Sequence, residues 1–314
     1  MNIYTIAVHG GAGPDSEYIR QNIQGYKDGI ARAINAGYKI LEKGGSAVDA
    51  VEAAVNVMED DPLFNAGKGA SLNAKAEVEL CASIMSGKHR KSGAVAIVKN
   101  VKNPVSLARA VMEKTEHIYL GSYGALDFAK KIKAPLEPDS YFIVPHAYEQ
   151  YDEARKKAGV TDNEIAEEQL TKRMHGTVGA VAVDKHGNVA AATSTGGTEF
   201  AKEGRIGDSS MIGVGAFARN ETCAVSTTGD GEYHILFVSA FHVTALMEYK
   251  GMSVQEACRF LIHEKCKDVE GDMGIIAVDP QGNVALEFNS ERMHRGFKTC
   301  DGKLHIAIYD EPLI

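Results

Sequence analysis

The chain has 314 residues, enough for one large layered domain or two smaller ones. Apolar residues make up 44% and charged residues 24%, the balance of a globular protein that buries a sizeable core. A net charge of −8, with no dense Lys/Arg stretch, argues against nucleic acid and against a membrane surface as partners.

The opening "MNIYTIAVHGGAG" has no basic leader and no long apolar region, so it does not read as a signal peptide. No apolar run approaches spanning length. The five cysteines, Cys81, Cys223, Cys258, Cys266 and Cys300, are odd in number, scattered and never in a C-x-x-C pair. That pattern predicts buried thiols in a reducing, cytoplasmic setting.

Residues 3 to 8 read as a strand that ends in "HGGAG", whose glycines suit a tight turn or a close backbone approach to a ligand. Ile19, Ile23, Tyr26, Ile30, Ile34 and Leu41 then recur at helical spacing and predict one long amphipathic helix. Gly44 and Gly45 stop it, and "SAVD" from Ser46 to Asp49 is a capping box opening a second helix through Val51, Val55 and Met58. "PLFNAGKGASLN" reads as a loop, 77 to 85 and 93 to 98 as strands, and Pro104 to Glu113 as a helix with proline in its first turn.

From about 133 to 175 the character changes: "KAPLEPDSYF" carries two prolines, and the charged run after it has no steady apolar stripe. A mobile connector and a solvated surface helix both fit this composition. Order then returns with two segments that echo each other, "GAVAVDKHGNVAAAT" at 179 to 193 and "GIIAVDPQGNVALEF" at 274 to 288. Each reads as strand, turn, strand around a Gly-Asn pair, predicting antiparallel hairpins on corresponding sides of a core. Helical patterns over 232 to 249 and 254 to 266 lie between them, and strand runs broken by paired helices favour an α+β layered fold in one domain.

Among candidate sites, "GVGAFA" matches the G-x-G-x-x-A pattern, but "ETCAVS" follows it as a strand, so the helix that dinucleotide binding requires is missing. His234 and His242 belong to no recognisable ligand set and read as core or surface histidines. "TSTGG" offers hydroxyls for a triad, but no G-x-S-x-G elbow supports one. "RMHGTVGAVAVD" sets Thr177 between Gly176 and a strand. A threonine at a chain terminus carries its own base, since a free α-amine has a pKa of about 7.7–8.0. Thr177 gains that amine only if the bond before it is cut, an event that glycine's tolerance of strained backbone favours.

Six segments in order, "HGGAG", "PLFNAGKGA", "HGTVGAVAVD", "GNVAAATSTGG", "GRIGDS" and "STTGDGE", make the chain resemble the plant-type asparaginase and isoaspartyl peptidase family of N-terminal nucleophile hydrolases. The resemblance implies a four-layer αββα sandwich, self-cleaved into an α subunit 1–176 and a β subunit 177–314, with two αβ units associating as a heterotetramer. It implies hydrolysis of small substrates, β-aspartyl dipeptides and L-asparagine, through a covalent ester on Thr177. Thr195 would tune the nucleophile, and the Thr228 hydroxyl and Gly229 N–H would form an oxyanion hole. Arg205 would clamp the substrate α-carboxylate, Asp208 with the Gly231 carbonyl would take the α-ammonium, and Asn65 would lie close to the nucleophile. No cofactor is implied for catalysis. A structural sodium ion is, held by backbone carbonyls of Met58, Glu59, Asp61, Phe64, Ala66 and Lys68.

The sequence departs from the family pattern in three places. "ELCASIMSG" has Cys81 and Ser86 where relatives carry aspartates, Asp230 stands at a variable position beside the substrate ammonium, and "GGTEFAKEGR" adds charge to a more neutral loop. The competing readings are a glycosylasparaginase-like amidase, disfavoured by the missing leader, and a catalytically inactive amino-acid-binding relative.

Overall fold

Residues Thr5–Gly13 form β1, buried along its whole length. The computed structural model to which this strand belongs describes residues 3–159 and 176–311. "HGGAG" is therefore no turn: it continues the strand through an irregularity between His9 and Ala12, where Gly11 adopts φ +115°. The helical stripe that follows is interrupted at Asn22, giving α1 (Glu17–Gln21) and α2 (Ile23–Glu42). Ser16 caps the first, with its side chain accepting from the Ile19 N–H. α3 (Ala47–Glu59) starts where predicted, with Ser46 accepting from the Asp49 N–H.

β2 (Leu80–Ser86), β3 (Lys91–Val98), α4 (Pro104–Lys114), β4 (Tyr119–Gly121) and α5 (Ser122–Lys131) follow. Of the stretch read as connector or solvated helix, the described part carries α6 (Asp139–Phe142) and α7 (Pro145–Lys157), so helix is what the charge pattern encodes there. Residues 160–175 lie outside the described residues. β5 (Val178–Val183) and β6 (Val189–Thr195) pair antiparallel, as do β9 (Met273–Val278) and β10 (Val284–Phe288). The echo between these hairpins has a shared cause in their aspartates. Asp184 Oδ1 accepts from the N–H groups of His186 and Asn188, and Asp279 Oδ1 accepts from those of Gln281 and Asn283. Gly187 and Gly282, at φ +76° and +83°, complete each turn.

Between the hairpins lie β7 (Ala216–Ala218) and β8 (Ala224–Gly229), then α8 (Gly231–Phe237) and α9 (Ser239–Lys250). The single helix expected over 232 to 249 is broken at Val238, which takes φ +48° and ends one helix as it begins the next. α10 (Val254–Arg259) opens on a capping box between Ser253 and Glu256 and runs on as a wider-wound turn through Lys265. β11 (Arg292–Thr299) and β12 (Leu304–Ala307) close the chain.

These strands make an eight-stranded sheet, β12-β11-β1-β5-β6-β2-β3-β4, and a four-stranded one, β10-β9-β8-β7. α2, α3 and α4 cover the large sheet over a core that includes Ile6, Ile30, Val51 and Leu107. α9 and α10 cover the small sheet over Val225, Val243 and Leu261. A third apolar layer, with Val181, Ala191 and Ile276, fills the space where the sheets face each other. Strands buried on both faces explain the unbroken apolar runs "GAVAV" and "GIIAV". Among the described residues no helix is long and apolar enough to cross a membrane.

Candidate active site

Thr177 lies one residue ahead of β5, at the edge of the space between the sheets, and is buried. Its hydroxyl stands 3.2 Å from Thr195 Oγ1. Thr195 is the last residue of β6, and its Oγ1 is also 3.1 Å from the Gly176 carbonyl oxygen. Asn65 Nδ2 donates to the same oxygen at 2.8 Å and to the Gly197 carbonyl at 2.7 Å. The Asn65 orientation is set by its own Oδ1, which accepts from the Ser71 N–H at 2.7 Å. Two donors thus converge on the carbonyl of the amide that joins Gly176 to Thr177, with the threonine hydroxyl beside them.

Thr228 comes in from the small sheet. Its Oγ1 accepts from the Ala12 N–H at 3.1 Å and lies 3.5 Å from the Thr177 carbonyl oxygen. His234 Nε2 donates to the Thr228 carbonyl at 2.9 Å and holds the end of β8 in place. Next to it, Gly229 has φ +120°, and a side chain there would overlap the Asp272 carbonyl, so only glycine fits.

Arg205, Asp208 and Gly231 meet beyond Thr228. A Cβ on Gly231 would lie 2.9 Å from Asp208 Oδ1 and 3.0 Å from Arg205 Nη2, so the missing side chain leaves a gap between the two charges. Asp208 is buried, and its Oδ2 accepts from Thr227 Oγ1 at 2.7 Å. Arg205 is gripped along one edge by Glu232, with Nε and Nη2 donating at 2.9 and 2.7 Å. Burial alone would lower the Arg205 pKa, but the Glu232 carboxylate outweighs it and holds the guanidinium above its ordinary value.

Asp230, the departure noted in "TTGDGE", is tied to a neighbouring loop. The side chain accepts from the Asp272 N–H at 2.8 Å while its own N–H donates to the Asp272 carbonyl, so it braces the loop after α10. Cys81 is buried in β2 directly across from Thr195, whereas Ser86 pairs with Ala190 at the far end of that strand.

The expected cation loop folds back on itself. Glu59 O accepts from the Lys68 N–H at 2.7 Å, Phe64 O from Ala66, Asp61 O from Phe64 and Met58 O from Asp61. A carbonyl keeps a second lone pair after one such bond. Gly69 packs closely on this loop, since its Cβ would lie 2.6 Å from Pro62 O and 2.8 Å from Phe64 O. Neutral carbonyl oxygens are the donor type that a hard monovalent cation takes, and among the described residues there is no His/Cys/Asp/Glu cluster of metal-binding kind. The Glu59 side chain points the other way: it is buried, takes Ser194 Oγ at 2.6 Å, and burial raises its pKa to about 8.

Several polar partners were not singled out from the sequence: His9, Thr193, Ser226, Thr227 and Glu232, while His234, read there as a core or surface histidine, is buried and bonds the end of β8. They stand inside or beside the quoted motifs. For Thr193 and Ser226 the signal that would have found them is strand period: Thr193 and Thr195 lie two apart on β6, as do Ser226 and Thr228 on β8, so each pair shares a face of its strand.

Comparison with known proteins gives the family. A curated relative named isoaspartyl peptidase from Salmonella typhimurium is 44% identical, over 99% of this chain and 100% of its own length. One of the same name from Escherichia coli is 41% identical over 99% and 98%. The human isoaspartyl peptidase/L-asparaginase is 41% identical over 98% and 96%. The asparaginase family model matches residues 2–308, essentially the whole chain. Matched at this length and identity, the chain belongs to the asparaginase family of which these isoaspartyl peptidases are members.

Proposed function

We propose that the chain is an isoaspartyl peptidase with L-asparaginase activity, working through Thr177 once the bond to Gly176 has been cut. The observation that carries this reading is the pair of donors, Asn65 Nδ2 and Thr195 Oγ1, on the Gly176 carbonyl oxygen, with the Thr177 hydroxyl alongside. Negative charge developing on that oxygen is what such donors stabilise. In the cleavage step Thr177 Oγ bonds to the Gly176 carbonyl carbon, the C–N bond breaks, and its nitrogen takes the proton as the new α-amine. Water then hydrolyses the ester, releasing chains 1–176 and 177–314.

In the mature site the α-amine takes the proton from Thr177 Oγ, which attacks the side-chain carbonyl of an aspartyl unit. The Thr228 hydroxyl and the Gly229 N–H stabilise the oxyanion, ammonia or an amino acid leaves with a proton, and water releases aspartate. Arg205 and Asp208, on either side of Gly231, read the carboxylate and ammonium on the substrate's Cα, and the Gly231 carbonyl adds a contact to the ammonium. The helix, sheet, sheet, helix stacking is read as the αββα sandwich of N-terminal nucleophile hydrolases. Carbonyls of Met58, Glu59, Asp61, Phe64, Ala66 and Lys68 would hold a sodium ion that stiffens the Asn65 loop. Two αβ units associate, and the exposed Leu236, Val238 and Phe241 give apolar surface suited to that contact. The five unpaired cysteines support a reducing cytoplasm.

The test is intact mass and turnover on the same sample. Purified protein should separate into fragments 1–176 and 177–314, and hydrolysis of a β-aspartyl dipeptide and of L-asparagine should rise with the cleaved fraction. Thr177→Ala should stay whole and inactive. Full activity from a chain that remains single would overturn the reading.

A further inference from the structure

Thr177 stands outside the strand ladders. The pairing of β1 with β5 ends at His9 and Gly179, and that of β5 with β6 begins at Val178. The Thr177 carbonyl is therefore held by side chains. Its near partner is His9 Nδ1 at 2.9 Å, with Thr228 Oγ1 further off at 3.5 Å. After cleavage this residue is a chain end whose amine and hydroxyl both depend on how its backbone is anchored.

We propose that His9 is a positioning residue for the nucleophile, its ring locked by Ser226 and Thr193 so that Nδ1–H always donates to the Thr177 carbonyl. The inference rests on Thr177 being the nucleophile. Proton accounting fixes the direction of every link. A carbonyl only accepts, so Nδ1 carries the hydrogen. Complete burial drives the His9 pKa down to about 3, against the opposing pull of its bond to Thr177, so the ring is neutral and Nε2 is bare. Ser226 Oγ, 2.8 Å from Nε2, must donate to it, since its other acceptor, Ala192 O, is 3.5 Å away. Ser226 Oγ then accepts from Thr193 Oγ1 at 2.7 Å. Thr193 has one hydroxyl hydrogen within reach of both Ser226 Oγ and the Gly215 carbonyl oxygen at 2.9 Å, and with the Ser226 hydrogen spent on the ring it is the one hydrogen left for the Ser226–Thr193 contact.

The chain of bonds also accounts for a glycine. A Cβ on Gly179 would overlap both Ser226 Oγ and His9 Nε2, so the second glycine of "HGTVG" is the gap through which the small-sheet hydroxyl reaches the histidine.

Two substitutions separate this role from a merely structural one. The Asn amide nitrogen falls where His Nδ1 does, and the Gln nitrogen reaches where Nε2 does. His9→Asn therefore keeps the donor to Thr177, while His9→Gln keeps only the side facing Ser226. With β-aspartyl dipeptide as substrate and fully cut protein, His9→Asn should stay within roughly tenfold of wild-type kcat, and His9→Gln should lose about 100-fold, the cost of a nucleophile displaced by about 1 Å. KM should be unchanged in both, because His9 touches no part of the substrate pocket around Arg205 and Asp208. The same order is expected in self-cleavage rate by intact mass, which covers a variant too slow to mature. Equal rates for the two variants, or wild-type rates from His9→Gln, would overturn the proposal. A wild-type protein that neither cuts itself nor hydrolyses the dipeptide would instead refute the assignment of Thr177.

Discussion

Arg205 illustrates how much a single residue depends on its partner. One edge of its guanidinium is occupied by Glu232, which holds Nη2 beside the gap over Gly231 while Nη1 lies against Gly207. Cys81 lies close enough for the Arg205 charge to act on its thiol, whose pKa burial nevertheless raises. Glu232 is the carboxylate that hydrogen-bonds Arg205, with the Asp208 charge acting on it as well. Arg205→Ala should lower kcat/KM for β-aspartyl dipeptides by roughly 30-fold or more, since losing one partner of a desolvated charge pair costs about 2–5 kcal/mol. Arg205→Lys should restore only part of it, lacking the planar fork. Steady-state kinetics on protein shown by mass to be cut at Thr177 decides this, and near-normal hydrolysis by the alanine variant would move the carboxylate site elsewhere.

At the scale of elements, the helices are held to the large sheet by glycines that admit backbone. A side chain on Gly37 of α2 would overlap Ile6 of β1 and lie 2.6 Å from the Ala50 carbonyl of α3. Gly93 of β3 is tighter still, since its Cβ would overlap the Ala108 carbonyl and come within 2.7 Å of the Met112 nitrogen on α4. These atoms are backbone and cannot rotate away. Gly93→Ala should therefore cost about 3 kcal/mol, at the upper end of overpacking penalties. Urea unfolding of the uncut Thr177→Ala chain, with and without the change, measures it, and a loss below about 0.5 kcal/mol would mean that α4 slides freely.

For the whole molecule, burying histidines between the layers makes stability depend on acid. Burial holds the His9 pKa at about 3 and that of His294 well below its ordinary value, while unfolded histidines titrate near 6.5. Between those values the unfolded chain binds more protons, so stability is full above about 6.5 and is lost as pH falls toward about 3. Glu59 acts in the opposite sense: its pKa, raised from 4.5 to about 8, makes its contribution fall as pH rises through that interval. The difference between Thr177→Ala and Thr177→Ala/His9→Asn removes Glu59 from the comparison. The stability gap between the two chains should change by up to about 1.4 kcal/mol per pH unit on acidification below 6.5, always to the disadvantage of the chain that keeps His9. Parallel stability curves would show that His9 titrates alike in both states.

What the sequence determined by itself was local or cumulative. The Ser46 and Ser253 caps, the two Asp-centred hairpin turns and the apolar runs of buried strands depend on neighbours a few residues away, and six motifs in order named the family. Where the sequence misled, a distant contact had overruled a local signal. "HGGAG" has the composition of a turn, yet pairing with β11 extends it as a bulged strand. The apolar pattern of 232 to 249 is continuous, yet Val238 breaks the helix where Ala240 and Phe241 bond back to Val214 and Gly213. The bond between Asp230 and the Asp272 backbone joins residues 42 apart and has no local signal. His9, Ser226 and Thr193 are separated by as many as 217 residues. Their order as donors and acceptors exists only because two sheets meet face to face, where burial removes water and each polar group must be satisfied by another.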